Sequence, residues 1–392
     1  MIKNIEIKLK YCKGGENKMT GMNMENLKNN NKIAILSYLN KNGESSRKKI
    51  AEGLKLTTAT LTILTNELIE EGTVRELGAL TEGKVGRKQI LIDIDKNSRF
   101  TIGIEISRSN IYYNLINLKT EIVESMAWKY SKYFLEKQLK EILEYIDETT
   151  RDKRAILLGV GISIYGSLDE KDHWKVGIPN IKEIIESRLN LPTYIQNNIR
   201  ALALTEQYLN RDEKDFWLVK YGPGVGAAII MNGKLVEGNK RLAGDIGHIS
   251  FDNDGETCKV CGQIGCLESK VNFEKVLKEF DSKILKTNQI LPHEKDYEYI
   301  LRLSEMEGNK NLDKILEKLG KAITIGATIL DSNRIILAGD ILKNEKIFNI
   351  LEKHILKNSM FLKKENITFM EEYVEKRKKA PGVLVLKKFY NC

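Results

Sequence analysis

The chain has 392 residues, 42% of them hydrophobic and 30% charged, which suits a globular protein of two or three ordinary domains. No apolar run approaches the ~18–20 residues of a membrane span, and the first residues lack a signal-peptide core, so a membrane-spanning helix is excluded and a reducing cytoplasm is expected. Net charge is +9, with 18 Lys/Arg against 12 Asp/Glu in residues 1–100, so +6 of it sits in the first quarter; this suits a nucleic-acid partner or, alternatively, only a solvated basic face.

Residues 1–24 show no helical or strand period in their first part. Lys13-Gly14-Gly15-Glu16 is what a purine-rich ribosome-binding sequence would encode, so the native start is expected at Met19, Met22 or Met24. From Lys28 the apolar residues Ile33, Ile35, Leu36 and Leu39 recur at helical spacing and stop at Asn42-Gly43. A second helix opens at Ser45-Ser46 and runs Arg47 to Leu54. Thr57-Thr58 then caps a third, Ala59 to Gly72, with Leu61, Leu64, Leu68 and Ile69 on one face.

Three short helices with a tight turn between the second and third suit a helix-turn-helix, or a plain three-helix bundle. The opposite face of the third helix is read as Thr58, Thr60, Thr62 and Thr65, hydroxyls able to reach phosphates and base edges. Two strands follow, Thr73 to Glu76 and Lys88 to Asp93, joined through Gly78 to Gly86. Such a hairpin forms a wing, which favours the winged helix-turn-helix and puts Lys84 and Arg87 against the phosphate backbone.

After Ser98 buried strand-like runs alternate with longer amphipathic helices. Strands are expected at 101–106, 111–116, 156–162, 216–219, 226–230 and 334–338, an α/β pattern in two similar halves, as in a two-lobed actin-like (sugar kinase/ribonuclease-H-like) domain. The glycine-rich turn Gly222-Pro-Gly-Val-Gly226 could approach a phosphate, but a tight hairpin explains it better.

The strongest local signal is Gly247-His248 followed by Cys258, Cys261 and Cys266. One imidazole and three thiolates make a closed tetrahedral set, the pattern of structural rather than catalytic Zn2+. Cys12 and Cys392 read as incidental.

These residues resemble the ROK family of repressors, open reading frames and sugar kinases. The resemblance rests on Gly159-Val-Gly161, Tyr165-Gly166, Pro179-Asn180, Gln196-Asn197-Asn198 with Glu206, Gly222 to Gly226, Gly233 to Gly238, Ala243 to His248, the cysteine cluster with Glu268, and Ala338-Gly339. The winged helix with Gly86-Arg87 is similar to that of the family's repressors. The resemblance implies a winged helix-turn-helix at 25–95 and a ligand-binding domain in two lobes at 96–392, after an extension at 1–24.

It also implies sugar contacts at Asn180, Asn197, Asn198, Asp245, His248 and Glu268. His248 would bind zinc through one nitrogen and orient the ligand through the other. Family kinases open the domain with an aspartate, two glycines and a threonine; here the stretch is Glu105-Ile-Ser107-Arg108-Ser109, which is not expected to admit phosphate. Their catalytic base is replaced by Asn198, and a neutral amide cannot take a hydroxyl proton. Asp245 is one methylene shorter than the family's glutamate, and two residues rather than one separate the first two cysteines.

The expected function is therefore a cytoplasmic homodimeric or dimer-of-dimers repressor, binding a double-stranded operator under control of a small sugar. An active ATP-dependent sugar kinase with an appended DNA-binding domain, and a module binding another protein, are the alternatives. Operator contacts are expected at Thr58, Thr60, Thr62, Lys84 and Arg87, with Ile63 placed to meet a thymine methyl.

Overall fold

The computed structural model describes residues 24–79, 90–210, 213–251, 256–258, 261–280, 282–291, 294–308, 310–332 and 334–390. Its first helix, α1 (Met24–Asn42), is followed by a short strand β1 (Ser45–Ser46), α2 (Arg47–Leu54) and α3 (Thr58–Glu70). Each start has a local cause. Ser46 Oγ accepts from the Lys49 amide and Thr57 Oγ1 from the Thr60 amide, satisfying donors that a helix leaves orphaned at its first turn.

Strands β2 (Val74–Ala79) and β3 (Ile90–Ile94) pair antiparallel, and β1 adds to the free edge of β3 to give a sheet ordered β1-β3-β2. The three helices and this sheet enclose Ile35, Leu39, Ile50, Leu61 and Ile92. Lys84, Arg87 and the extension through residue 23 lie outside the described residues.

The next strands are β4 (Phe100–Ile106), β5 (Asn110–Asn117), β6 (Ile122–Lys129), β7 (Leu157–Ile164) and β8 (Thr193–Asn197), with α4 (Leu135–Thr149) and α5 (Ile181–Leu189) between them. Helix α6 (Asn198–Leu209) leads to the second set: β9 (Phe216–Tyr221), β10 (Val225–Met231), β11 (Lys234–Leu235), β12 (Ile335–Ala338) and β13 (Ile367–Phe369). Between β11 and β12 come α7 (Leu267–Val271), α8 (Phe273–Lys278), α9 (Ser282–Thr287), α10 (Asp296–Met306) and α11 (Lys310–Leu330). Helix α12 (Glu345–Asn358) precedes β13, and α13 (Tyr373–Phe389) follows it.

The two sheets are ordered β6-β5-β4-β7-β8 and β11-β10-β9-β12-β13, an antiparallel meander of three strands extended by two parallel ones in each case. The two similar halves expected from the strand runs are thus present, with β6, β8, β11 and β13 added. Sheet one packs on α4 and α5, and sheet two on α7, α8, α10, α11 and α12.

Helices α6 and α13 lie against each other between the lobes. Helix α6 covers sheet two through Leu202 and Ala203, while α13 crosses sheet one. The approach of α13 is so close that a Cβ on Gly161 would lie 1.7 Å from the Pro381 carbonyl oxygen, so only glycine fits there. Among the described residues no helix is long and apolar enough to cross a membrane.

Candidate functional site

The outward face of α3 differs from the threonine face expected. Thr58 and Thr62 are exposed and Thr60 is half-buried, but Thr65 is fully buried. Thr65 donates to the Leu61 carbonyl (2.9 Å) and accepts from Arg47 Nε (3.0 Å), so it belongs to the inner face. The period of helix α3 carries Thr65 round with Leu61, Leu64 and Leu68, four residues on from Leu61.

Two other hydroxyls are engaged locally: Thr60 with Thr57 Oγ1 at 2.8 Å, and Thr62 donating to the Thr58 carbonyl at 2.8 Å. Lys28 and Lys32 of α1 hold the Glu67 carboxyl below the usual carboxylate range, at 2.6 and 2.8 Å, and so tie α3 to the helix behind it.

The end of β8 and the start of α6 carry Asn197 and Asn198. Asn197 caps α6, its Oδ1 accepting from the Ile199 and Arg200 amides, and its Nδ2 donates to the Gly166 carbonyl. Its polar atoms are therefore spent on backbone. Asn198, half-buried beside it, makes no side-chain hydrogen bond among the described residues.

Two residues along, Arg200 donates to the carbonyls of Arg241 (2.8 Å) and Ala243 (3.1 Å), which brings the start of α6 against the loop carrying Asp245. On the facing side Glu268 Oε2 accepts the Val225 amide at 2.8 Å, and a Cβ on Gly224 would meet Glu268 Oε1 at 2.3 Å. Glu268 also lies beside Gly247, next to His248. Asn180 is exposed at the start of α5, and no described contact of its side chain joins it to the other five.

The sequence reading missed a bridge over this region. Arg241 pairs with Asp172 and Glu237 and donates to the Asp169 carbonyl, linking the loop before α5 to the loop after β11. No local pattern marks it, because Asp169 and Asp172 lie about 70 residues away in the chain.

A second group lies where β4 and β9 end. Glu105 is buried and faces Arg377 of α13, Nε to Oε1 3.2 Å; burial pushes its carboxyl up and Arg377 pulls against that. The Lys220 ammonium lies deep among protein atoms, and burial, with repulsion from Arg377 and Arg108, lowers it to about 8. The turn between β4 and β5 is closed by Ser107, whose Oγ donates to the Asn110 carbonyl (2.8 Å) and accepts the Asn110 amide (3.0 Å). Sequence reading also missed Lys376 and Arg377, since a run of four cations reads as a solvated face; Lys376 is buried against Glu206 at 2.7 Å.

The four residues expected to ligate a metal converge. One donor atom each from His248, Cys258, Cys261 and Cys266 lies within 4.8 Å of every other, with His248 Nδ1 3.7 Å from Cys258 Sγ. Backbone bonds from Cys258 to Gln263 (2.8 Å), Gly262 to Cys258 (2.9 Å) and Phe251 to Gly265 (2.9 Å) fold the loop, and Gly262 and Gly265 supply its left-handed turns. A set of this kind can hold a metal ion.

Known proteins carry the same two parts. Residues 28–75 match the winged helix-turn-helix DNA-binding profile and residues 101–385 match the ROK family profile. A related chain of Caldicellulosiruptor sp. (strain Rt8B.4) is 33% identical over 257 residues, 62% of this chain and just under two thirds, 64%, of that one. The xylose repressor of Caldicellulosiruptor bescii is 32% identical over 273 residues, 66% of this chain and 68% of that one. The DNA-binding transcriptional dual regulator NagC of Escherichia coli K12 is 27% identical over 344 residues, 83% and 84% of the two chains.

In structure, a ROK family transcriptional regulator homologous to the E. coli MLC protein superposes with a TM-score of 0.73 at 20% identity, over 93% of this chain and 96% of that one. A ROK glucokinase from Streptomyces griseus, solved with glucose and AMPPNP, superposes at 0.57 and 18%, over 73% and 98%. With the duplicated sheets, the cluster after Gly247 and a profile match spanning most of its length, this chain belongs to the ROK family.

Proposed function

We propose that this chain is a transcriptional repressor whose affinity for a double-stranded operator is set by a small sugar held in a kinase-like domain without kinase chemistry. Residues 25–95 form the DNA-binding part and 96–392 the two-lobed sensor. The observation that carries the reading is the course of α6. It starts at Asn198 in the candidate ligand site, and near its other end Tyr208 OH accepts from Asn40 Nδ2 of α1 at 2.6 Å. One helix thus touches both the sensor site and the DNA-binding part.

The sugar site is assigned to Asn180, Asn197, Asn198, Asp245, His248 and Glu268, amides, carboxylates and one imidazole that suit vicinal hydroxyls. Asn197 acts by fixing Asn198, because its own amide is spent on the helix cap and on Gly166. Asn198 can donate to or accept from a hydroxyl but cannot deprotonate it, so the ligand is held and not phosphorylated. The Ser107-closed turn and the Glu105–Arg377 pair support the same conclusion, since protein groups line the place where a phosphate would need open backbone.

His248, Cys258, Cys261 and Cys266 would hold Zn2+: a tetrahedral ion with thiolates at ~2.3 Å sets its ligand atoms roughly 3.8 Å apart, within the convergence seen. Bound there, the ion cross-links the loop and does no chemistry on the ligand. With Nδ1 turned to the cysteines, His248 keeps Nε2 for the sugar.

A homodimer presents two winged helices to a palindrome, and ligand binding shifts operator affinity by its differential affinity for the two arrangements. Fluorescence anisotropy of the full chain on the DNA flanking its own gene, titrated with a pentose and hexose panel, should show tight binding released by one sugar. Binding that no sugar alters, or ATP-dependent sugar phosphorylation by the pure protein, overturns the reading.

A further inference from the structure

The recognition helix carries an unusual set of chemical groups for a helix that reads DNA. Its 13 residues contain neither lysine nor arginine. Its exposed residues are Thr58, Ala59, Thr62, Ile63, Asn66 and, at its C-terminal end, Glu70, and Ile63 is 60% exposed, the most exposed large apolar side chain among the described residues of the winged helix.

Arg47 of α2, which reaches Asn66, does not extend this face. Arg47 is held by Thr65 Oγ1 (3.0 Å), Asn66 Oδ1 (3.2 Å) and Glu76 Oε1 (2.9 Å). Because the Thr62 hydroxyl turns back to the Thr58 carbonyl, Thr62 offers its methyl outward beside Ala59 and Ile63. The surface is a methyl-rich ridge bordered by one fixed amide and, a turn further on, by the Glu70 carboxylate.

Guanine is read in the major groove by the bidentate fork of arginine or by lysine, and thymine by apolar contact with its C5 methyl. A ridge without a cation has nothing to pair with guanine O6 and N7, and a methyl surface gains only where a thymine methyl is buried against it. Asn66 fits the same bases: Arg47 fixes its plane, and an asparagine amide pairs with adenine N6 and N7.

We propose that α3 reads A·T base pairs through thymine methyl groups, with Ile63 the specificity-determining contact, so the operator positions under this helix are A·T. The proposal rests on the DNA-binding reading above and adds the class of base that is read. Phosphate contacts from other elements fix the register and carry no base information.

The test uses the full-length chain and a random duplex library. Selection by the wild type should return half-sites in which A·T pairs occupy the positions whose preference relaxes in Ile63→Ala. Replacing thymine by deoxyuridine at those positions should weaken wild-type binding about fourfold per methyl lost, the worth of one buried methyl-sized group, and should leave Ile63→Ala unchanged.

The deoxyuridine comparison uses wild-type protein, so it stands whatever the variant's stability. G·C pairs at those positions, equal affinity for thymine and deoxyuridine, or an unchanged preference in Ile63→Ala would each overturn the proposal while leaving DNA binding intact. Failure to select any sequence would instead overturn the regulator reading, and the A·T assignment with it.

Discussion

The two lobes share one strand order and differ in what they are attached to. Sheet one is crossed by α13, whose far end joins the winged helix: Val383, Leu386 and Tyr390 share a core with Ile35, Leu39 and Leu118, and Tyr390 OH donates to the Leu118 carbonyl. Sheet two carries the His/Cys cluster and Glu268 and has no residue in that shared core. The turns differ too. The β4–β5 turn is filled by Ser107 and Arg108, whereas the matching β9–β10 turn keeps Gly222 and Gly224. One lobe is thus built together with the DNA-binding part, and the other reaches it through α6 and α13.

The largest effect on this arrangement is expected from Gly161→Val. Its Cβ has no room beneath the Pro381 carbonyl, so α13 must lift from sheet one. Overpacking that displaces backbone should cost more than about 4 kcal/mol, beyond the usual range for single substitutions, and should weaken the core shared with the winged helix as well. Urea unfolding with two-probe fluorescence would read both, and a variant as stable as wild type would break the account of α13 as the element joining the two parts.

Next comes Lys376→Met. Lys376 and Glu206 are both buried and lie between α13 and α6. Removing one partner of such a pair leaves an uncompensated charge and should cost about 3–5 kcal/mol, while Lys376→Met combined with Glu206→Leu should recover most of it. A double-mutant cycle on the unfolding free energy checks this, and additive losses would show that the pair does not hold the two helices together.

The smallest effect is expected from Tyr208→Phe. It removes the hydroxyl that accepts from Asn40 and keeps the ring beside Tyr390, so stability should fall by only about 1 kcal/mol. Operator affinity without sugar should stay near wild type, and the sugar-dependent change in it should shrink. An undiminished sugar response in anisotropy would place the coupling on α13 alone and sharpen the comparison between the lobes.

Much of the DNA-binding part was legible in the chain because its signals are local. Helix starts at Ser46 and Thr57, the stop at Gly43 and the apolar spacing of Leu61, Leu64 and Leu68 sit within a few residues of the structure they cause. An error there, Thr65, is a polar residue buried where a neighbouring helix supplies Arg47, and Ser45-Ser46, read as a helix start, forms the short strand β1. Helix α13 is the opposite case. Pro381-Gly382 in its middle disfavours a helix by local propensity, yet the helix continues, packed against Gly103 and Gly161 of sheet one.

The amino-acid order by itself determined the class of each part, the duplicated α/β pattern and the membership of the His/Cys cluster, because periodicity, capping and a cysteine spacing act over short stretches. Tertiary structure alone decided that Thr65 meets Arg47, that the Asn197 amide reaches Gly166, that Arg377 turns in to Glu105, and that α6 and α13 end on the winged helix. Those facts depend on contacts between residues tens to hundreds of positions apart, where burial and charge pairing, rather than local pattern, set the orientation of each side chain.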